Sequence, residues 1–440
     1  MLKTLWKYIL RLFGIEKTDT TDAQMSKNAV YSKQFEDTEA INFTAIFAAK
    51  LTTLSVSEST ADIVGDNARV ALLDECMSDA WAKIKRITSR MLGTGGCAIV
   101  PYVQDGEIHF DVVAQDRIAI HEKKGDRITA ATILADSIIQ GTRKYYRWVN
   151  YEIENNTVLI TNKVTDESGK DAFIQQWAGI EDRSITGVDR VLFAYFKSPV
   201  DNRKFSDFYG VPITYGCDTI IKEIYDCFKQ IQDEYSLKEV KVFADERMFK
   251  KDPKTNDYKI PSKMFFATHG NETGPMIETF SPDIRDSSYY SRLQYLYELL
   301  ERAIGTSKGV LTAPETRGAT ATEIKAGLYD TYAMIGDIRT VIENGMKDYI
   351  YACNVLANYY GIAPQGEYEL AFDWSYSLIE SSAETWAQLK DAQSMGIKRK
   401  AELRQWLNPN ESADDAQAVI DEIKKSDPPL DAMGFGKFGS

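Results

Sequence analysis

Basic charge is the scarcer kind in this 440-residue chain: 52 Lys and Arg stand against 65 Asp and Glu, a formal net charge of −13. Tight binding to nucleic acid draws on Lys and Arg to neutralise phosphates, so the balance argues against a protein that grips DNA or RNA. It leaves room for one that lets a polyanion pass. Cysteine is also sparse. Cys76, Cys97, Cys217, Cys227 and Cys353 are odd in number, widely spaced and without a C-x-x-C pair, which argues against a disulfide framework or a zinc site and favours a reducing compartment. Only three histidines occur, His109, His121 and His269, none at ligand spacing for a metal. There is no G-x-S-x-G, no H-E-x-x-H and no dinucleotide fingerprint, and the glycine-rich Gly93–Cys97 stretch lacks the Lys-Ser/Thr of a phosphate loop. No apolar run approaches a membrane span. The expectation is a chain with no catalytic residues, no metal and no cofactor. The alternative left standing is an enzyme with an unrecognised carboxylate site, since Asp and Glu are plentiful, although no spacing points to one.

What is present is an ordinary folded composition, 44% hydrophobic and 27% charged, in a length that suits two or three domains. At the N-terminus Leu2, Leu5, Trp6, Ile9, Leu10 and Phe13 share one helical face, with Lys3, Lys7 and Arg11 on another. Two readings stand for it: a helix docked on its own body or a neighbouring subunit, and a membrane-surface helix. Residues 38–92 read as helical, and Gly93–Cys97 as a helix stop leading into a strand. The period then changes to two: CAIVPYV and EIHFDVV flank Asp105-Gly106, a hairpin signal, and β patterns continue to about residue 165. VLFAYFK (191–197) adds a strand whose continuous apolar character suggests burial on both faces.

After Gly210-Val-Pro212 a helix is expected to about residue 240, with Ile220, Ile224, Cys227, Phe228, Ile231 and Tyr235 on one face. Residues 241–280 are short, β-like and turn-rich. A second helix runs over 286–305, with Tyr290, Leu293, Tyr297, Leu300 and Ile304 on its apolar face and Gly305 as its stop. Two helices thus bracket a small β insertion. A polar, small-residue stretch follows, and Thr320-Ala-Thr-Glu323 forms a capping box for a helix of roughly 40 residues, about 60 Å long at 1.5 Å per residue, ending at Gly361. Gly327, Gly336 and Gly345 recur in it at nine-residue spacing. They fit either close packing at Gly327 and Gly345 with a bend at Gly336, or simple tolerance. EYELAFDWSY (367–376) reads as a strand, and two helices with an intervening Asn-Pro-Asn close the chain before an unstructured tail.

The ordered series YFKSPVDN (195–202), FYGVPI (208–213), DEYSLKEVKVFADERMFKKDP (233–253), ETFSPDIRDSSYYSRLQYLYELLERAIGTSKG (278–309) and ATATEIKAGLYDTYAMIGDIRTVIENGMKDYI (319–350) resembles the portal proteins of tailed bacteriophages, in particular long-tailed phages of Gram-positive-type hosts. No single motif is diagnostic; the order carries the resemblance, over nearly the whole chain. It implies an α+β, mainly helical portal fold. By order, 1–211 would be an α/β wing, 212–240 and 286–305 the two stem helices, and 241–285 a β-rich clip. Residues 306–320 would be the tunnel loop, 321–380 the long wing helix and a wing strand, and 381–440 a helical crown with its tail.

The same resemblance implies a homododecameric ring at one capsid vertex, serving as channel for packaging and ejection of double-stranded DNA. Implied partners are the terminase large subunit, a head-completion adaptor, the major capsid and scaffolding proteins, and DNA in transit. The implied location is the virion, after assembly in the bacterial host cytoplasm. Another phage ring or head–tail connector component is the nearest alternative. The expected DNA-facing residues are Lys308, Thr312, Glu315, Thr316, Arg317 and Thr320. The expected docking cluster of the clip is Arg247, Lys250, Lys251 and Lys254.

Overall fold

The computed structural model describes residues 19–204, 208–237, 241–245, 247, 249–251, 265–268, 277–280, 286–312, 327–374, 389–396, 398–408 and 412–426. The N-terminal amphipathic stretch, the Thr320–Glu323 capping box, Lys254, Glu315, Thr316 and Arg317 lie outside them. The chain divides into two compact units, 1–374 and 375–440. It is α+β with helix the larger share, as expected.

The first unit opens with four helices, α1 (Asp19–Glu36), α2 (Phe43–Val56), α3 (Ala68–Ala82) and α4 (Ile84–Thr94). Asn42 builds the corner between the first two. Its side-chain oxygen accepts from Ala45 N at 3.0 Å, capping α2, while its amide donates to Gln34 O at 2.6 Å and Asp37 O at 3.1 Å. The expectation of unbroken helix over 38–92 fails at β1 (Thr60–Val64), which alternates exposed and buried side chains. Its partner is β13 (Glu369–Asp373), antiparallel, with Thr60 opposite Asp373 and Val64 opposite Glu369. A five-residue strand whose partner lies about 300 positions away carries no local signal, so a helical neighbourhood absorbs it in the sequence.

α4 stops where the glycines stand. Gly95 is the left-handed cap, φ 97°, and its N–H donates to Met91 O. The chain then enters β2 (Gly96–Gln104), which turns at Asp105 and Gly106 (φ 53° and 86°) into β3 (Glu107–Ala114). Both turn residues are left-handed, the two-residue geometry that matches the strand twist. β9 (Ala194–Lys197) pairs on the other side of β2, giving the order β3-β2-β9, and Ala194 and Phe196 are fully buried. A separate antiparallel meander runs through β4 (Ile118–Lys124), β5 (Arg127–Gln140), β6 (Arg143–Glu154), β7 (Thr157–Asp166) and β8 (Arg183–Thr186).

Across β4, β5 and β6 runs a short polar ladder. The Thr132 hydroxyl donates to Asn150 Oδ1 at 2.9 Å and so receives the Nε2–H of His121 at 2.8 Å. Burial pushes the His121 imidazole down to about 4. Because its folded value is depressed, the unfolded chain binds the extra proton first, so this contribution is complete above about pH 6.5 and is lost as pH falls towards 4. At about 1.36 kcal/mol per pH unit the loss is on the order of 2–3 kcal/mol. Urea midpoints at about pH 7 and about pH 4.5 should therefore fall further for the wild type than for His121→Gln. Equal falls would remove His121 as the cause.

α7 (Tyr329–Tyr360) is the spine of this unit. Ile338, Ile342, Met346, Tyr349, Ile350 and Cys353 enter a core shared with α2, α3 and α4, whereas Ala352 and Leu356 enter the core under the five-stranded sheet. Its glycines are not equivalent. A Cβ on Gly345 would lie 2.3 Å from the Phe196 ring, while Gly327 and Gly336 face open space. Close packing thus accounts for Gly345 alone. The helix ends as expected at Gly361, φ 64°.

The second unit carries α8 (Lys400–Leu407) and α9 (Ala413–Ser426), packed on each other. The sequence predicts one helix over 382–407. The chain instead breaks at Gly396, whose φ of 74° lies in the left-handed region that a continuing helix cannot use.

Candidate functional site

The two helices that bracket the β insertion are α5 (Asp218–Leu237) and α6 (Asp286–Ile304). α5 begins six residues after Pro212. Gly216 is left-handed at φ 84°, so 213–216 is a turn, not helix. The helices pack together through Ile224 and Cys227 on α5 and Leu293, Leu296, Leu300 and Ile304 on α6, all buried. Phe43 of α2 reaches both, with ring centroids 5.8 Å from Tyr225 and 6.1 Å from Tyr297. Tyr289 of α6 donates towards Glu234 of α5 at 3.5 Å. Tyr235 and Tyr290, expected on the apolar faces of their helices, are instead exposed, Tyr290 at 53%, and Tyr295 is exposed as well. The solvent side of α5 is acidic: the helix carries five acidic side chains against two basic ones.

At the far end of the pair, β10 (Lys241–Asp245), β11 (Phe265–Thr268) and β12 (Ile277–Phe280) form a three-stranded sheet in the order β11-β10-β12. β10 pairs parallel with β11 and antiparallel with β12. The expected basic cluster here is only partly a surface of cations. Arg247 makes a two-pronged contact with Asp245, through Nε at 2.8 Å and through a terminal nitrogen at 2.5 Å, and its N–H donates to the same carboxylate at 2.9 Å. Asp245 is buried, so Arg247 compensates that charge and holds the strand end. Lys250 and Lys251 are exposed.

Residues 306–312 follow α6 as an anchored segment. Gly305 ends the helix at φ 88°, and Thr306 donates back to Glu301 O through its N–H at 2.9 Å and its hydroxyl at 3.1 Å. The Glu301 side chain is fully buried beneath the segment. Its Oε1 accepts from the N–H groups of Gly309, Leu311 and Thr312 at 3.3, 2.6 and 3.1 Å, and its Oε2 from the Thr312 hydroxyl at 2.9 Å. Two of the expected DNA-facing residues are therefore tied down here. Thr312 is buried on Glu301, and Lys308 pairs with Glu298 at 3.1 Å, which holds the Glu298 carboxyl below its usual value. Nothing in the sequence singled out Glu301. It reads as one more acidic residue on an amphipathic helix, and only the fold of the following segment makes it a ligand for backbone amides.

Among the described residues no group of three His, Cys, Asp or Glu side chains converges as a metal site, and all five cysteines are free and buried. No described helix is long and apolar enough to cross a membrane.

The family described as phage portal protein, SPP1 Gp6-like, matches residues 37–428. The chain belongs to this portal family. The match spans both compact units and begins just after α1. Among solved structures, the portal-family chain is similar at 9% identity to a chain in the virion of a native gene transfer agent particle, covering 87% of this chain and 93% of that one, with a TM-score of 0.44. A chain in the neck of the native particle, computed with C12 symmetry, matches at 10% identity over the same shares, TM-score 0.41. One in the neck of the empty particle, computed with C6 symmetry, matches at 10% identity over 91% and 97%, TM-score 0.41. No curated protein matches the chain. Portal-family proteins are structural components of virions, in keeping with a chain that carries no catalytic motif.

Proposed function

We propose that twelve copies of this chain close into a ring at one capsid vertex, with the α5–α6 pair around a channel for double-stranded DNA. The sheet of β10, β11 and β12 projects from the pair and docks the terminase large subunit during packaging, then a head-completion adaptor. The major capsid and scaffolding proteins surround the ring as it assembles in the bacterial host cytoplasm. The observation that carries this reading is a helix pair with a β insertion at its far end in a portal-family chain. Two features support it. The pair keeps Tyr235, Tyr290 and Tyr295 exposed, large rings suited to contacts between neighbouring subunits. The acidic surface of α5 repels a polyanion that carries one charge per roughly 1.7 Å of duplex, which favours passage over capture. The chain itself hydrolyses nothing; the motor supplies the work.

Within 306–320 the only basic residues are Lys308 and Arg317. With Lys308 paired to Glu298, Arg317 becomes the expected touch on phosphate, flanked by Glu315, Thr316 and Thr320. Electron microscopy of the purified protein should show a ring with a central hole, and Arg317→Glu should keep the ring while impairing retention of DNA in assembled particles. A monomer at every salt and protein concentration would end the proposal.

A further inference from the structure

The segment 306–312 is bound on two sides by different helices. Towards α6, Glu301 holds the N–H groups of Gly309, Leu311 and Thr312 and the Thr312 hydroxyl. Towards α7, Ser307 and Thr331 bond reciprocally: Ser307 N–H donates to Thr331 Oγ1 at 2.9 Å, and Thr331 N–H donates to Ser307 Oγ at 3.4 Å. Both residues are buried, and Thr331 stands in the first turn of α7. Gly305 lies beneath Met334 of α7, with 3.5 Å from an added Cβ to the Met334 methyl. Residues 306–312 are therefore pinned to the end of α6 on one side and to the first turn of α7 on the other.

We propose that Glu301, Ser307, Thr312 and Thr331 form a polar clasp coupling the end of α6 to the start of α7. Glu301 is its positioning residue: it touches no nucleic acid but fixes where the segment expected to meet DNA begins, at 313 and not at 306. The clasp is directional, because its contacts are hydrogen bonds centred on buried groups, Glu301, Ser307, Thr312 and Thr331, and bonds that share one buried carboxylate and one short segment strengthen or fail together. Apolar packing would let the helices slide by degrees; this arrangement passes displacement of α6 to α7. On the portal reading, on which this role in DNA passage rests, movement of the stem pair reaches the long helix through seven residues.

Hydrogen exchange on the full-length protein tests the coupling. Glu301→Ala should speed exchange at Gly309, Leu311 and Thr312 by about tenfold or more, and should also speed exchange at Thr331, which Glu301 does not contact. Ser307→Ala with Thr331→Val should reciprocally loosen 309–312. Combining all three changes should add little to either, since one broken half already frees the other. Glu301→Gln, which keeps one acceptor oxygen, should fall between wild type and alanine and covers the case in which the alanine variant does not fold. Exchange that rises only at 309–312, with Thr331 unchanged and the two sets of effects additive, would reduce Glu301 to a local cap and overturn the clasp. Electron microscopy of the same samples separates the two readings: a wild type without rings fails the portal proposal and leaves the exchange result to stand by itself.

Discussion

Arg69→Met should destabilise the first unit by about 3–5 kcal/mol, the range that follows when a buried charged donor with hydrogen bonds worth roughly 1.5–3 kcal/mol each is removed. Arg69 is fully buried near the start of α3 and spends its donors on neutral oxygens. Nε reaches Pro364 O at 3.0 Å, one terminal nitrogen reaches Asn354 O and Oδ1 at 3.0 and 3.1 Å, and the other reaches Asn358 Oδ1 and Ala363 O at 2.6 and 2.5 Å. Those acceptors lie at the C-terminal end of α7 and just beyond it, where the helix dipole favours a cation. Burial lowers the guanidinium pKa from its usual value, yet arginine stays charged. Methionine fills much the same space and leaves these acceptors buried without a donor. Arg69→Lys should recover less than half of the loss, because an ammonium cannot span oxygens set out for a planar fork. Denaturant midpoints read the effect. A change below about 1 kcal/mol for Arg69→Met would show that the acceptors find water or each other.

Gly210→Ala should cost about 3 kcal/mol or more, at the upper end of overpacking penalties, because the clash is between backbones and no side chain can yield. A Cβ there would sit 2.0 Å from Gly95 O and 3.0 Å from Ser198 N. The approach is mutual, since a Cβ on Gly95 would lie 2.6 Å from Gly210 O. Around this contact Ser198 N–H donates to Gly95 O at 2.9 Å and Ile213 N–H to Leu92 O at 2.8 Å. The buried Gln115 amide sits within 3.1 Å of Gly210 O and accepts from Tyr195 at 2.5 Å. The joint ties the end of α4 to the turn that feeds α5, so its loss should free the base of the helix pair. Gly179→Ala serves as the control. With open space around it, it should lie within about 0.5 kcal/mol of wild type. Equal stability of the two variants would refute the close-approach account of Gly210.

Local chemistry was legible wherever one short stretch settles its own backbone. Asp105-Gly106 declares a hairpin, and Gly95, Gly305 and Gly361 each end a helix in the left-handed region that only glycine enters freely. The order of helix, β insertion and helix was also readable, because hydrophobic period changes from 3.6 to 2 and back within the sequence. The portal family came from the resemblance of the ordered segments between 195 and 350, which the period alone does not carry. The misreadings have one cause. β1 pairs with a strand about 300 residues on, Gly210 serves a backbone contact with Gly95 and not the opening of a helix, and Tyr290 faces solvent although its spacing fits the apolar stripe.

The sequence by itself determined the class of the chain, the order of helix, β insertion and helix, many of its stops and turns, and the absence of any recognised catalytic motif. These depend on residue type and neighbours a few positions away. Tertiary structure alone decided which polar side chains are spent inside the fold. Glu301, Lys308, Thr312, Arg247 and Arg69 look in the sequence like surface residues or candidate contacts, and each is held by partners in the fold: Glu301 by the segment after its own helix, Lys308 by Glu298, Arg247 by Asp245, and Arg69 by the end of a helix about 290 residues away. A buried charge persists only where the fold brings enough donors or acceptors to replace water, and that convergence is a property of packing in three dimensions.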